Sequence, residues 1–414
     1  MTAHTLLVLA GGRFQVPLIT GAQRRGLRVV LFDGSPGAEG FAHADAGEVV
    51  DIADPVAVVA AATRIRPDAV AAIVSEVSVT SVAAVAAALG LPGIPVETAA
   101  LCTDKFLMRT CFERAGLPCP RFAVVAGLDD AMAAMPAIGL PLVVKPVDSS
   151  GSRGVRRVDT VEELGAAVDL ALANSRQGRA IIESFLDGTE CTVETFTVEG
   201  RTVVLGMSDK VHLPFPHCVS ISLTYPPIFD APTCRSIADA AARAIGATGL
   251  QNGPGHVEVI LTASGPVVVE VAARGGGYRI FSDILPAISG VDPVDAVIDL
   301  AMGRVPDVTP TRARAAVLRF FNPRMTGTVQ RIDGVEDARR LVDVYDVVVE
   351  VEVGQKVGGI TRDGERPGYI ISVADTREQA LLAADGAEQT VRFTIGAAEA
   401  EMASRGEGRS GGDV

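Results

Sequence analysis

The chain has 414 residues, of which 48% are apolar and 4% aromatic, with no Trp. That length predicts two to four compact units, and the apolar content is sufficient for their cores. The few aromatic residues disfavour a base-stacking nucleic-acid platform, and a formal net charge of −13 argues against a polyanionic partner. We therefore expect no nucleic-acid partner, and small molecules remain as possible ligands.

The six cysteines show no paired C-x-x-C spacing, so neither a zinc site nor a disulfide framework is indicated. The N-terminus has no basic region, and no apolar stretch reaches the length of a membrane span. We expect a cytoplasmic protein with no membrane partner. The segment 398–414 is rich in Gly, Ser and charge, and we predict that it is disordered.

The first hundred residues alternate short apolar runs with segments of helical periodicity. TLLVLA (5–10) and LRVVLFD, which ends at Asp33, predict buried strands. The alternation continues to Leu89 and predicts a small Rossmann-like parallel α/β domain with helices on both faces of its sheet. The first turn lacks the G-x-G-x-x-G spacing of a dinucleotide site, which disfavours a dehydrogenase.

The rest of the chain has a different pattern. Strands and helices of several lengths follow the proline-bearing stretch LPGIPVETAALCTDK, and two strands that meet at Gly200-Arg201 suggest antiparallel sheet. Residues 315–395 alternate short strands with Gly turns and end in a helix. The predicted fold class is therefore α/β and α+β, in several domains.

The segment VVKPVDSSGSRGV (143–155) places Lys145 at the end of a strand, just before a Gly- and Ser-rich loop. The loop contains Ser149, Ser150, Gly151, Ser152 and Gly154. One lysine with several backbone N–H groups and hydroxyls can converge on phosphate oxygens. This is not a Walker loop, because the lysine precedes the glycines. A plain surface turn is the alternative interpretation.

The segment HVEVILTASGPVVVEVAAR predicts two antiparallel strands, and a loop at 263–265 places Glu258 directly opposite Glu270. Facing like charges destabilise a sheet unless a positive group lies between them. Mg²⁺ binds to one or two carboxylates while phosphates complete its coordination, so the pair predicts a magnesium site, with Mn²⁺ as the alternative metal. His256 and Arg274 share this face by the two-residue period. The alternative is a hairpin with solvated glutamates.

A third segment, IIESFLDGTE, places Glu183 at the end of an apolar strand and Glu190 after the following turn. Such a segment can offer backbone groups and apolar side chains to an adenine ring and a carboxylate to ribose. Taken alone, it is an amphipathic strand and a turn. Lys210, at the end of another strand, reads as a solvated surface lysine, although it could reach the phosphates.

Five segments, in this order and at these separations, resemble the ATP-grasp superfamily of ligases, in its carboxylase-like and purine-biosynthesis-like branch. They are TDKFLMR, VVKPVDSSGSRGV, IIESFLDGTE, GHVEVI and VEVAARGGG. The resemblance covers about residues 5–395 and implies an ATP-grasp fold. The domains that we expect are an N-terminal α/β domain at 1–100, an ATP-grasp domain at 101–305 with a mobile lid subdomain at about 120–188, and a C-terminal α+β subdomain at 306–397.

The resemblance also implies ATP and Mg²⁺ as cofactors and assigns residues to them. The ATP contacts are Lys105, Lys145, Ser150, Gly151, Ser152 and Gly154 for the phosphates, and Glu183, Phe185, Leu186 and Glu190 for adenosine. The Mg²⁺ ligands are Glu258 and Glu270. The loop 149–154 would be the mobile flap over the phosphates.

Two departures from the family pattern bear on the substrate. Many relatives read E-x-N-x-R after the second glutamate, whereas this chain has Ala272 in place of the Asn. The E-x-A-A-R run and the H-x-E strand are similar to the amino-acid ligases that make dipeptides. Relatives often have an acidic residue where this chain has Ser220. The implied catalytic residues are Arg274, Lys145 and His256, and the implied substrate contacts are His217, Ser220, Arg274 and Gly276.

The implied reaction is ADP-forming ligation of a carboxylate to an amine through an acyl phosphate. We expect small amino-acid-like substrates, a natural-product pathway, and a homodimer as the candidate assembly. One alternative is a purine-type or bicarbonate-using ATP-grasp ligase or carboxylase. Another is a nucleotide-binding protein without turnover.

Overall fold

The structure is a computed structural model that describes residues 4–214, 218–322 and 326–397. The predictions for His217 and for the tail at 398–414 fall outside these residues. All six cysteines are free. Among the described residues, none of the helices combines the length and the apolar character that a membrane crossing requires.

The N-terminal part forms a parallel sheet with helices on both faces, as predicted. Its strands are β1 (Thr5–Leu9), β2 (Arg28–Asp33), β3 (Ala46–Val49) and β4 (Ala69–Ala71), in the order β3-β2-β1-β4. Its helices are α1 (Val16–Arg24), α2 (Pro55–Ile65) and α3 (Val79–Leu89). Leu6 of β1 packs with Leu18 on one face, whereas Leu7 packs with Val58 on the other. The unbroken apolar run of β1 therefore reflects burial on both faces.

A second unit follows two connecting helices, α4 (Val96–Leu101) and α5 (Lys105–Arg114). Helix α5 begins at Lys105 because the Asp104 carboxylate accepts hydrogen bonds from the N–H groups of Phe106 and Leu107. The unit contains β5 (Phe122–Val125), α6 (Leu128–Ile138), β6 (Leu142–Pro146), β7 (Arg156–Val158), α7 (Val161–Ala173) and β8 (Ala180–Ser184). Its antiparallel sheet has the order β5-β8-β6-β7 and a core of its own. This unit coincides with the segment expected to form the lid.

The remaining strands build a large antiparallel sheet and a small one. The elements are β9 (Thr189–Val198), β10 (Arg201–His212), β11 (Ser220–Tyr225), α8 (Ala231–Thr248), β12 (Gly253–Thr262), β13 (Gly265–Ala272), α9 (Leu285–Ser289), α10 (Pro293–Ala301), β14 (Ala315–Phe320), β15 (Gly327–Asp333), α11 (Val335–Arg339), β16 (Val344–Val349), β17 (Lys356–Val357), β18 (Gly368–Ala374), α12 (Arg377–Thr390) and β19 (Arg392–Ala397). The large sheet has the order β13-β12-β9-β10-β11-β14-β18-β16, and the small sheet the order β17-β15-β19. The large sheet thus takes strands from both sides of residue 305.

One hydrophobic core joins the N-terminal sheet, the large sheet and the C-terminal segment. It contains Leu6 from β1, Phe196 from β9, Ile280 from the π-helical turn Ile280–Ile284, and Leu318 and Tyr369 from β14 and β18. The fold is therefore α/β in its N-terminal part and α+β in the rest, in agreement with the predicted class.

Candidate active site

A cavity of about 980 Å³ is lined by all of these parts of the chain. Glu76 comes from the segment after β4, Lys145 from the lid, Glu258 from the large sheet and Asp363 from the C-terminal segment. This volume lies at the upper end of the range that small-molecule sites occupy. The cavity therefore has room for a nucleotide together with a further ligand.

Most of the residues predicted from the sequence line this cavity. They are Lys105, Lys145, Ser150, Gly151, Ser152, Glu183, Phe185, Leu186, Glu190, Ser220, His256, Glu258, Glu270 and Arg274. Gly154 and Gly276 are not among the lining residues. Gly154 instead packs against Asn174 and Pro146, and Gly276 lies against Glu194 and Ile280, where a Cβ would be 2.9 Å from the Glu194 carboxylate.

Glu258 and Glu270 are direct cross-strand partners, as predicted. The connection between β12 and β13 is shorter than expected, because Thr262 pairs with Gly265. The register then shifts by one residue, and Val259 pairs with Val268 while Glu258 pairs with Glu270. Val269 is thus the extra residue of a β-bulge. The bulge compensates for the shorter turn and leaves the two carboxylates opposite each other.

Two buried lysines supply the positive charge that this carboxylate pair requires. Lys210 Nζ lies 2.6 Å from Glu258 Oε1 and 2.5 Å from Glu190 Oε1. Lys105 Nζ lies 3.2 Å from Glu270 Oε2. The interpretation of Lys210 as a solvated surface lysine is wrong, because its side chain is only 8% exposed. The repulsion between the glutamates is therefore relieved by lysines within the protein, and it does not by itself require a metal.

The charge pattern keeps this cluster ionised. Burial opposes the carboxylate form of Glu258, but Lys210 and His256 hold the pKa of Glu258 well below its usual range. Lys210 also outweighs burial at Glu190, whose pKa is lowered. Burial disfavours the ammonium form of Lys210, yet the two glutamates raise its pKa. At neutral pH this trio carries two negative charges and one positive charge.

His256 connects this cluster to a second buried carboxylate. Its Nδ1 lies 2.7 Å from Glu194 Oε1, and its Nε2 lies 3.8 Å from Glu258 Oε1. Burial disfavours the imidazolium, but the charge of Glu194 and hydrogen bonds to both glutamates raise the pKa of His256 to about 9. His256 is therefore an imidazolium at neutral pH, held on the cavity wall by Glu194.

Lys145 is positioned by a buried ion-pair network. Its Nζ lies 2.7 Å from Glu183 Oε2. Arg109 Nε lies 2.8 Å from Glu183 Oε1, and its Nη2 donates a hydrogen bond to the Val269 carbonyl at 2.6 Å. Burial opposes ionisation of Glu183, but Arg109 and Lys145 lower its pKa to about 2. Both oxygens of Glu183 are engaged, so this arrangement favours a role in holding Lys145 over the predicted contact with adenosine.

Arg274 lies directly beyond the end of β13 and forms an ion pair with Glu76. Arg274 Nε lies 2.6 Å from Glu76 Oε2, and Nη1 donates to the Gly275 carbonyl at 3.0 Å. Burial disfavours the guanidinium, but Glu76 and Glu270 raise the pKa of Arg274 further. The guanidinium is thus a fixed cation on the cavity wall with a geometry that suits a carboxylate or a phosphate.

Residues 149–153 of the loop 149–154 line the cavity, and the loop contacts Lys105 and Cys218. Lys105 Nζ donates to the Ser149 carbonyl at 2.8 Å, and Ser152 Oγ donates to the Cys218 carbonyl at 2.9 Å. Gly151, Ser152 and Gly154 all have positive φ. This backbone conformation suits glycine, which occupies two of the three positions.

The C-terminal segment contributes two residues that the sequence did not single out. Arg366 Nη2 donates to the Ser220 carbonyl at 2.7 Å and to Asp363 Oδ1 at 2.8 Å. Its guanidinium lies 3.7 Å from the centre of the Phe320 ring. Arg366 therefore attaches residues 363–366 to the edge of the cavity formed by β11 and β14.

The carboxylates suit a hard cation that is completed by ligands other than protein. Among the described residues, no group of three or more His, Cys, Asp or Glu side chains is arranged to hold a metal ion. Glu258 and Glu270 nevertheless face each other on the cavity wall. Mg²⁺ is held in this way at phosphate sites, by one or two carboxylates with phosphates and waters. The residues therefore fit Mg²⁺ in the presence of a nucleotide and do not form a closed metal cage.

Several charged residues of the cavity were not predicted from the sequence. They are Glu76, Asp363 and Arg366, which line it, and Arg109 and Glu194, which pair with the lining residues Glu183 and His256. A signal existed only for Glu76, which follows a strand of the parallel sheet, where ligands bind in open α/β sheets. The other four depend on contacts between residues at least 60 positions apart in sequence.

Comparison with known proteins identifies two domains. Residues 138–282 match the ATP-grasp domain, and residues 319–396 match the L-amino acid ligase C-terminal domain 2. An uncharacterized protein of Sinorhizobium fredii, y4rH, is 31% identical over 73% of this chain and 63% of its own length. An L-arginine-specific L-amino acid ligase of Bacillus subtilis is 25% identical over 63% of this chain and 64% of its own length. The chain therefore spans less than two thirds of either relative.

The fold is also found in solved structures. A crystal structure of an L-amino acid ligase from Bacillus licheniformis has a TM-score of 0.82 and 24% identity, with 96% of this chain and 100% of that chain covered. This likeness shows the ATP-grasp fold. Purine-biosynthesis enzymes are also among the relatives.

Proposed function

We propose that this chain, which belongs to the ATP-grasp superfamily, is an ATP-dependent carboxylate–amine ligase. The premise includes its match to an L-amino acid ligase C-terminal domain. The substrates are amino-acid-like acids and amines, and the products are an amide, ADP and phosphate. The observation that carries the proposal is the convergence of Glu258, Glu270, Lys105, Lys145 and Arg274 on one cavity.

The reaction has two steps. A carboxylate oxygen of the first substrate attacks the γ-phosphorus of ATP, and the bond to ADP breaks. The amine nitrogen of the second substrate then attacks the carbonyl carbon of the acyl phosphate, phosphate leaves and the nitrogen loses a proton. Transfers of this kind depend on positioning and on neutralisation of charge more than on covalent catalysis.

The residues divide these tasks among them. Lys105 and Lys145 hold the nucleotide phosphates, and Glu183 with Arg109 fixes the position of Lys145. The loop 149–154 covers the phosphates and keeps water from the acyl phosphate. Arg274 holds the substrate carboxylate or stabilises the oxyanion that forms at its carbon. His256 is a positive group beside Glu258.

Glu258 and Glu270 would hold Mg²⁺ when nucleotide is bound. The ion would supply positive charge to the phosphate oxygens. To admit it, Lys210 and Lys105 must release these carboxylates.

A purine-type or bicarbonate-using ligase is the second candidate, because enzymes of purine biosynthesis are among the relatives. Two observations favour the amino-acid ligase. The C-terminal residues 319–396 match the L-amino acid ligase domain, and the E-x-A-A-R run at 270–274 resembles that of the dipeptide-forming ligases.

The proposal is tested by release of ADP and phosphate from ATP and Mg²⁺, with the twenty amino acids supplied singly and in pairs. We expect release that depends on particular pairs and that Glu270→Ala abolishes. Release with bicarbonate or a ribosylamine, and with no amino-acid pair, would replace the proposal by the second candidate. Nucleotide binding without turnover on any of these substrates would reject both.

A further inference from the structure

One part of the cavity wall comes from a short turn of the C-terminal segment. Asp363–Glu365 forms a single helical turn between β17 and β18. The Tyr278 hydroxyl donates to the Asp363 carbonyl at 2.8 Å, and the Asp363 N–H approaches the Gly151 carbonyl of the flap at 3.5 Å. The turn therefore contacts both Tyr278, which follows β13, and the loop 149–154.

Arg366 fixes the orientation of the Asp363 carboxylate. Its Nη2 is shared between Asp363 Oδ1 and both the carbonyl and the hydroxyl oxygen of Ser220. The Arg366 side chain is only 2% exposed, and its guanidinium lies over the Phe320 ring. Arg366 is thus buried against protein, and we assign it the task of holding Asp363 in place.

Asp363 keeps one carboxylate oxygen for a ligand. Its side chain is 29% exposed and lines the cavity. In the part of the chain that the structure describes, Oδ1 has Arg366 as its partner and Oδ2 has none. The other acidic residues on the wall are likewise each paired with a cation: Lys210 with Glu190 and Glu258, Lys105 with Glu270, Lys145 with Glu183, and Arg274 with Glu76.

We propose that Asp363 is a specificity-determining residue that binds a protonated nitrogen of the substrate through Oδ2. This inference rests on the proposed ligase function. A carboxylate in a partly desolvated cavity gains most from a charge-assisted hydrogen bond. The nitrogen can be the α-ammonium group that every amino acid carries or the cationic group of a basic side chain. Both are cationic nitrogen groups that donate hydrogen bonds, and the experiment below distinguishes between them.

The position of Ser220 supports this assignment. Ser220 is uncharged, and its carbonyl and hydroxyl oxygens accept hydrogen bonds from Arg366. Asp363 lies in the connection between β17 and β18 and places its carboxylate beside the same guanidinium. In this chain the acidic group at the cavity edge is therefore supplied by the C-terminal segment.

The test is calorimetric binding of L-alanine, L-arginine and L-citrulline to the full-length enzyme with Mg²⁺ and a non-hydrolysable ATP analogue. Asp363→Asn keeps the acceptor for Arg366 but removes the charge, and we expect it to weaken amino-acid binding about tenfold to a hundredfold. Equal weakening for all three amino acids identifies the α-ammonium group as the ligand. Weakening for arginine alone identifies the side chain, because citrulline has a similar shape without the charge.

Two further variants keep the test decisive. Glu365→Gln removes a charge from the same turn at an exposed residue that pairs with Arg362, and we expect wild-type affinities. Ser220→Asp combined with Asp363→Asn returns a carboxylate to the neighbourhood of Arg366, and we expect partial recovery of amino-acid affinity. Recovery would not follow if Asp363 had only a structural role.

The inference is overturned if Asp363→Asn binds all three amino acids as the wild type does, or if it loses the ATP analogue by the same factor. It is also overturned if the wild-type enzyme binds none of the three. Phosphate release with ATP, measured separately, reports on the ligase function. Amino-acid binding that depends on Asp363 without turnover would reject that function and leave the recognition role in place.

Discussion

For Arg274 we expect a substitution to affect the ligation step and nucleotide binding to different extents. Its guanidinium is held by Glu76, whereas Lys105 and Lys145 pair with Glu270 and Glu183. Loss of one preorganised donor to an oxyanion reduces turnover by about a hundredfold to a thousandfold. We expect Arg274→Ala to lower kcat for ligation by that factor and to change the Kd for ATP by less than about threefold.

The control for this variant is Arg314→Ala, which removes an arginine paired with the exposed Asp375. It should leave both kcat and the Kd for ATP unchanged. Steady-state phosphate release and calorimetry with an ATP analogue provide the two measurements. If Arg274→Ala weakened nucleotide binding as much as ligation, Arg274 would be a phosphate ligand, and the role assigned to it would be wrong.

Glu183 links the site to the pH dependence of stability. Its pKa in the folded protein is about 2, below the ordinary value of 4.5, because Arg109 and Lys145 outweigh burial. The resulting stabilisation is fully present above pH 4.5 and is lost as the pH falls towards 2. A depression of this size corresponds to about 3 kcal/mol.

We therefore expect Glu183→Gln to be less stable than the wild type at pH 6 and to approach it in stability as the pH falls below about 4.5. Urea unfolding at several pH values between 3 and 7 measures the difference. A difference that stayed constant across this range would show that the Glu183 carboxylate has an ordinary pKa in the folded protein.

Single residues also show what a sequence can and cannot reveal about this site. Glu258 and Glu270 could be paired from the two-residue period of their strands, because cross-strand geometry is local. Arg109 and Asp363 could not, since Arg109 meets Glu183 across 74 residues and Arg366 reaches Ser220 across 146. Such contacts follow from the packing of whole units, and helical or strand periodicity contains no information about them.

The loop 149–154, which we propose as the flap over the nucleotide phosphates, depends on the backbone conformation of Gly154. Gly154 has a φ of +73°, and a Cβ there would lie 2.9 Å from the Asn174 Cβ and 3.0 Å from the Pro146 Cγ. A residue with a side chain in this conformation costs about 1–2 kcal/mol before any clash is counted. We expect Gly154→Ala to displace the loop 149–154 and to raise the KM for ATP at least about tenfold.

Gly127→Ala is the matched control in the same unit. Gly127 has extended backbone, and an added Cβ there would meet no atom within 4 Å. Its KM for ATP should equal that of the wild type. Equal KM values for Gly154→Ala and Gly127→Ala would mean that the flap conformation seen here is not the one that binds nucleotide.

Among the elements, those with strong local patterns were predicted well. The strand at residues 5–9 follows from an apolar run, and the two strands that meet at Gly200-Arg201 are antiparallel, as expected. The hairpin was less well predicted, because the bulge at Val269 and the two-residue turn are set by the register with neighbouring strands. The environment of Lys210 was missed for a related reason, since β10 lies inside an eight-stranded sheet rather than at an edge.

At the scale of the whole molecule, the C-terminal segment is part of the same structure as the large sheet. β14, β18 and β16 extend that sheet beyond β11, and Leu318, Phe320 and Tyr369 belong to the core that also contains Leu6. Ion pairs join it to other parts of the chain, including Arg377 with Asp209 at 2.6 Å and Arg13 with Glu350. The domain boundary that we propose at residue 305 therefore separates segments of sequence that share one core.

This shared core leads to a prediction about truncation. A chain that ends at residue 305 would leave β11 as an unpaired edge and expose the apolar residues that β14 and β18 cover. We expect this fragment to aggregate or to lack a cooperative thermal transition, and to bind no ATP analogue. Removal of 398–414 alone, the segment predicted to be disordered, should leave both properties intact. Circular dichroism melting and calorimetry measure them, and a fragment 1–305 that melted cooperatively and bound nucleotide would show that the two segments fold independently.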